Sequence, residues 1–113
     1  MVSVSGTQNM IYIDLNGRNV KAFVGGTNLP KLQTLYLYNN QITSISTLYT
    51  PLLQTLYLYS NQLEYLPSDF FAYMTGLTTL YLQNNFLKDF PETVPSTVST
   101  LNMNTNCLGA RDI

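Results

Sequence analysis

The chain has 113 residues, of which 45% are apolar, and this suits one ordered domain with a modest core. Only 10% are charged, the formal net charge is −1 and histidine is absent, which argues against nucleic-acid partners and electrostatic membrane binding. No stretch approaches the roughly 18 apolar residues of a membrane span, and the single cysteine, Cys107, permits neither an intrachain disulfide nor a zinc site built from cysteines.

One eleven-residue segment recurs five times along the chain. In order, the copies are "MIYIDLNGRNV", "LQTLYLYNNQI", "LQTLYLYSNQL", "LTTLYLQNNFL" and "VSTLNMNTNCL", which begin at residues 10, 32, 53, 77 and 98. The first copy is the most divergent. This spacing predicts a repeat array over residues 10–108, with residues 1–9 as an N-terminal flank or partial cap and residues 109–113 as a C-terminal remnant.

Within each copy, apolar residues at positions four and six alternate with polar residues or tyrosine. Such alternation predicts one short, half-buried strand per repeat, and parallel stacking of the strands buries a continuous apolar column. Position nine is asparagine in the last four copies and Arg18 in the first. We expect the side-chain amides to satisfy backbone groups where the chain leaves the sheet, as a structural ladder. Its members are Asn40, Asn61, Asn85 and Asn106.

The pattern LxxLxLxxNxL with a period of 20–29 residues resembles the leucine-rich repeat family. The resemblance implies an α/β solenoid, right-handed, with a parallel sheet of about five strands on its concave face and a mostly irregular or short-helical convex side. The connecting segments look like mixed repeat classes, so no subfamily is assigned. In one of them, Ser68 or Asp69 is predicted to cap a short helix that ends at Gly76, with Phe70 and Met74 in the core.

The outward strand positions three, five and seven form columns, because neighbouring strands lie roughly 5 Å apart. Two interpretations of the tyrosines in these columns stay open. Stacked tyrosines stabilise a sheet, and they also offer rigid contact area for recognition, to which asparagine and glutamine add hydrogen bonds. The candidate partner-binding residues are Tyr36, Tyr38, Tyr57, Tyr59, Tyr81, Gln83, Asn102 and Asn104. Asp14 is the one charged residue in the columns, so the expected partner is a neutral polar protein surface, with a glycan as the weaker possibility.

Three functions are compatible with the sequence. The first is a non-catalytic module that binds a protein partner through the tyrosine-rich concave face, as the resemblance also implies. The alternatives are a self-associating structural segment and a regulatory segment of a larger protein. No catalytic constellation, cofactor motif or metal-ligand cluster is recognisable.

The flanks and the localisation are less constrained by the sequence. Val2 and Val4 are predicted to lie in a strand that covers the first repeat. Pro91 and Pro95 favour an extended backbone. Cys107 is predicted to be a small buried side chain. Composition slightly favours an extracellular or cell-surface location, whereas the missing signal peptide, sequon and disulfide favour the cytosol or a prokaryotic source. The compartment therefore stays unknown.

Overall fold

The protein folds as a solenoid whose concave side is a parallel sheet. The computed structural model describes residues 9–24, 28–89 and 93–106. The strands are β1 (Tyr12–Asp14), β2 (Ala22–Phe23), β3 (Thr34–Tyr36), β4 (Ser44–Ile45), β5 (Thr55–Tyr57), β6 (Thr79–Tyr81) and β7 (Thr100–Asn102). Five of them form one sheet in the order β1-β3-β5-β6-β7, and every neighbouring pair is parallel. This confirms the predicted solenoid with a five-stranded parallel sheet.

The register aligns equivalent positions of successive repeats. Leu35 pairs with Leu56, and Leu56 with Leu80, so the side chains at position four form one inward column. These three leucines are fully buried, whereas Leu101 on the last strand, β7, is 40% exposed. Both β1 and β7 are edge strands, but Ile13 on β1 is only 6% exposed, so the apolar column is less covered at the β7 end alone.

The segments that connect the strands of the five-stranded sheet differ from the prediction in two places, where an additional sheet forms and where a predicted helix is absent. Strands β2 and β4 form a second, two-stranded parallel sheet, which the sequence reading did not predict. The short helix predicted between Ser68 and Gly76 is absent from the described residues, and this prediction was wrong. Its place is taken by consecutive turns, in which the Phe70 and Met74 amides donate to the carbonyls three residues earlier, at 3.0 and 3.1 Å.

The side chains of these turns contact the preceding repeat and the core. The Asp69 carboxylate accepts a hydrogen bond from the Thr47 hydroxyl of the preceding repeat at 2.6 Å, so the side chain joins two coils instead of capping a helix. Phe70 and Met74 are both fully buried, as predicted, and tight turns bring both onto the core within one coil.

Some expectations fall on residues that the structure does not describe. They concern Val2 and Val4, Pro91, Cys107 and residues 109–113, which all lie outside the described ranges. Pro95 is described, and its carbonyl accepts a hydrogen bond from the Val98 amide at 3.1 Å. It therefore begins a turn that leads into β7. Among the described residues, no helix is long and apolar enough to cross a membrane.

Candidate functional site: the tyrosine face

Five tyrosines form two stacked columns on the outer side of the five-stranded sheet; we call them the tyrosine face. They are Tyr36, Tyr38, Tyr57, Tyr59 and Tyr81. In the first column the ring centroids of Tyr36 and Tyr57 are 4.6 Å apart with planes at 10°, and those of Tyr57 and Tyr81 are 4.5 Å apart at 3°. In the second column, Tyr38 and Tyr59 stack at 4.7 Å and 6°. The two columns contact each other at tilted angles, for example 58° between Tyr38 and Tyr57.

The stacking decides which part of each ring a partner can reach. Ring separations of 4.5 to 4.7 Å match the spacing between strands, so each inner ring faces its neighbour along the column. The edges and hydroxyls of the rings therefore point outward. Within the described residues, no hydrogen bond joins these five hydroxyls to another side chain, whereas the Tyr12 hydroxyl donates to Asp14 Oδ2 at 3.4 Å.

The tyrosine face carries no charge at neutral pH. Burial, and next the neighbouring phenols, raise the pKa of Tyr57 and Tyr59 above the usual value for tyrosine, so both stay protonated. The only charge among the column positions is Asp14 on β1. Its pKa is lowered by hydrogen bonds from Asn16, first from the backbone amide at 3.0 Å and then from Nδ2 at 2.6 Å.

The two ends of the columns differ in chemistry. At the β1 end, Tyr12 packs its ring against Tyr36 in a T-shaped contact at 5.5 Å and 77°. At the β7 end the tyrosines give way to amides. Asn102 pairs in register with Tyr81. Gln83 follows Tyr59 in the second column, because the Ser60 amide donates to the Gln83 carbonyl at 3.0 Å.

The end of the tyrosine face contains an unpaired acceptor. Gln83 Oε1 is buried and has no hydrogen-bond partner among the described residues. Asn102 Oδ1 accepts from the Asn104 backbone amide at 3.0 Å, so that oxygen is satisfied. The structure thus brings the eight predicted partner-binding residues to one side of the sheet, five as stacked rings and three as an amide group at one end.

The asparagines at position nine link consecutive repeats through their side chains. Asn61 Oδ1 accepts from the Ile42 amide of the preceding repeat at 3.0 Å. Its Nδ2 donates to the Leu37 and Leu58 carbonyls at 3.0 Å each and, more weakly, to the Tyr59 carbonyl at 3.3 Å. Equivalent bonds are made by Asn40, Asn85 and Asn106.

A further backbone feature, which the sequence did not predict, lies directly before position nine of each repeat. The residue at position eight has a φ of 58° to 63° in all five repeats, which is the left-handed region that favours glycine and asparagine. These residues are Gly17, Asn39, Ser60, Asn84 and Thr105. Glycine or asparagine occupies three of these five positions, and this could have predicted the left-handed conformation. Serine and threonine at the other two positions made the pattern hard to recognise.

The family assignment rests on a match that covers most of the chain. The family model described as Leucine Rich repeats, in two copies, matches residues 8–50 and 51–96. The chain belongs to the leucine-rich repeat family. No curated protein and no solved structure shows significant similarity to it. Leucine-rich repeats generally mediate protein–protein interactions and are typically non-catalytic.

Outside the tyrosine face, these leucine-rich repeats offer weaker candidates. Tyr49 and Tyr73, on two connecting segments, contact each other at 4.4 Å and are both more than 40% exposed; the sequence reading did not single out this pair. Lys88 and Glu64 form an ion pair at 3.0 Å, with each side chain about half exposed, and such pairs contribute little. The described residues contain no group of three side chains suited to hold a metal ion.

Proposed function

We propose that this leucine-rich repeat protein is a non-catalytic module that binds a protein partner through the tyrosine face. The observation that supports the proposal most is the outward row of ring edges and hydroxyls, which offers hydrogen bonds that no described side chain uses. A tyrosine side chain adds contact area at low entropic cost, since it loses few rotatable bonds on binding. The face needs little rearrangement to bind, because stacking already fixes the rings.

The ring orientation favours a protein over a glycan. A sugar packs against the flat face of an aromatic ring, and the same is true of a cation that binds to the π-system. The inner faces of Tyr36, Tyr57 and Tyr81 are covered by one another. A protein surface instead supplies amide and carbonyl groups that bind phenol hydroxyls from the side.

The proposal is tested with a pair of double variants. Tyr36→Ala with Tyr57→Ala removes the middle of the face, whereas Tyr36→Phe with Tyr57→Phe keeps the rings and removes two hydroxyls. Proteins captured from an extract by the wild type are purified, and their affinities are measured by calorimetry. We expect the alanine pair to abolish binding and the phenylalanine pair to lose about 0.5–1.5 kcal/mol per hydroxyl that bonds the partner.

The control is Tyr65→Ala, which removes a tyrosine that is 60% exposed and lies outside the tyrosine face. This variant should bind like the wild type. A folded alanine pair that still binds at wild-type affinity would refute the proposal. Because the face is uncharged, the affinity should also change little with salt.

Self-association is the second candidate, and the exposure of Leu101 favours it. Leu101 is 40% exposed, whereas the equivalent leucines of the three preceding repeats are fully buried, so a second chain that covered β7 would bury apolar surface. Sedimentation equilibrium over a range of concentrations tests this candidate. A dimer that Leu101→Lys disrupts would support it, and a monomer at all concentrations would reject it.

A further inference from the structure

The tyrosine columns end abruptly at β7, where amides replace aromatic rings. Tyr81 stacks on Tyr57 with one face, and the next residue in its column is Asn102. Tyr59 stacks on Tyr38 with one face, and Gln83 follows in its column. An asparagine side chain is much shorter than a tyrosine side chain. Among the described residues, therefore, no ring covers the outer part of the second Tyr81 face, unlike the inner faces of the columns.

The amide group beside this ring face provides an acceptor without a partner. Gln83 Oε1 is buried and makes no hydrogen bond within the described residues, and an unsatisfied buried acceptor is unfavourable. Rotation of the Gln83 side chain toward a bound donor would break no hydrogen bond of Oε1. A ligand that carries an N–H or O–H group thus bonds to Oε1 without displacing another donor of the described residues.

From this juxtaposition we propose that Tyr81, Gln83, Asn102 and Asn104 form a subsite for a tryptophan side chain of the protein partner. The indole ring continues the tyrosine column by stacking on the open face of Tyr81. Its N–H, which can only donate, bonds to Gln83 Oε1. This subsite deepens the proposed function, since it names the side chain that anchors the partner.

Charge argues for indole over another planar donor that stacks on aromatic rings, the guanidinium group of arginine. A guanidinium group stacks on tyrosine as well, but it loses hydration unless a carboxylate compensates for its charge. The described carboxylates are Asp14, at the opposite edge of the sheet, and residues of the connecting segments such as Glu64 and Asp69. A neutral donor suits this end of the face better.

The first test uses two small probes on the full chain. N-acetyltryptophanamide and its 1-methylindole analogue are titrated separately, and backbone and side-chain amide shifts are followed by two-dimensional NMR. The analogue keeps the ring and lacks the donor. We expect the unmethylated probe to shift the side-chain amide signals of Gln83, Asn102 and Asn104 and to bind about tenfold more tightly than the analogue, the effect of one hydrogen bond to a buried acceptor.

The second test changes the protein. Asn102→Tyr extends the column by one ring and covers the open face of Tyr81, which removes the stacking position beside Gln83 Oε1. The variant should therefore leave the fold intact and bind the unmethylated probe no more tightly than the analogue. Gln83→Leu should lower the affinity for the unmethylated probe to that for the analogue. Gln41→Leu, which changes an exposed glutamine outside the tyrosine face, is the matched control and should bind like the wild type.

The subsite is overturned by any of three results: no shifts at these amides, equal affinity of the two probes, or tighter binding of ethylguanidinium than of the indole probe. Each of these outcomes leaves the partner-binding test with the Tyr36 and Tyr57 variants unaffected. Conversely, if the Tyr36 and Tyr57 variants refuted the partner-binding proposal, the result with the two probes would not change. The two proposals can therefore fail separately.

Discussion

Removal of one asparagine of the ladder measures how strongly the repeats depend on each other, and Asn61→Ala is the most informative change. Asn61 is 5% exposed, so water cannot replace its hydrogen bonds. The substitution leaves the Ile42 amide without its partner. It also removes one of two side-chain donors at each of the Leu37 and Leu58 carbonyls, which keep the bonds from Asn40 and Asn85.

The expected magnitude follows from these three bonds. Each contributes about 1 kcal/mol net, and the Ile42 amide is the one group left unpaired in the interior. We therefore expect Asn61→Ala to lower the free energy of unfolding by about 3 kcal/mol. For a domain of this length that corresponds to a fall of roughly 12 °C in Tm. The 3.3 Å contact to the Tyr59 carbonyl is not counted, since Nδ2 has only two hydrogens.

Urea unfolding followed by circular dichroism measures the change. Gln62→Ala is the control, because Gln62 is the exposed neighbour of Asn61 and surface substitutions usually change stability by less than about 0.5 kcal/mol. An Asn61→Ala variant that loses less than about 1 kcal/mol would refute the reasoning. A lower m-value in the variant would show instead that the repeats no longer unfold as one unit.

Three further changes test other parts of the structure. Ser60→Asn should raise the free energy of unfolding by up to about 1 kcal/mol in urea, because asparagine tolerates the positive φ of Ser60 better; a loss would contradict this. Tyr57→Ala removes two stacked contacts and should cost about 1–3 kcal/mol, whereas an unchanged Tm would argue against the columns. Finally, the raised pKa of Tyr57 and Tyr59 predicts that the protein loses stability at alkaline pH, because these tyrosines ionise more readily in the unfolded chain. Their contribution to the free energy of unfolding is complete below about pH 10. It declines as the pH rises through the pKa values of the folded state. Unfolding that is independent of pH in this range would exclude this effect.

The fold was predictable where the sequence repeats with a fixed period. Leucine at position four, from Leu35 to Leu80, alternates with outward residues, and a period of two allows only one of the two faces to be buried. The place of Asn61 was predictable for the same reason, because an asparagine follows the position-four leucine at the same distance in successive repeats. The connecting segments lack such a period, which is why the second sheet and the turns around Phe70 were not foreseen.

The backbone and the rings of the site posed two further difficulties. Position eight adopts a left-handed conformation in all repeats, yet Ser60 and Thr105 are not residues that indicate it. The sequence also placed five tyrosines on one face without indicating which way their rings point. Ring orientation depends on contacts between side chains of different repeats, and these follow only from the register and spacing that the structure provides.

The spacing of the repeats decides what an aromatic column can recognise. When the same position is tyrosine in consecutive repeats, the next ring lies within contact distance, and both rings gain by stacking face to face. A run such as Tyr36, Tyr57 and Tyr81 therefore presents edges and hydroxyls along its length and a ring face only at its end. Tyr12 packs against the β1 end of this run, which leaves the β7 end. Under the proposed function, contact area comes from the repeated residues, and the proposed subsite assigns selectivity for a particular side chain to Gln83 and Asn102, where the repetition stops.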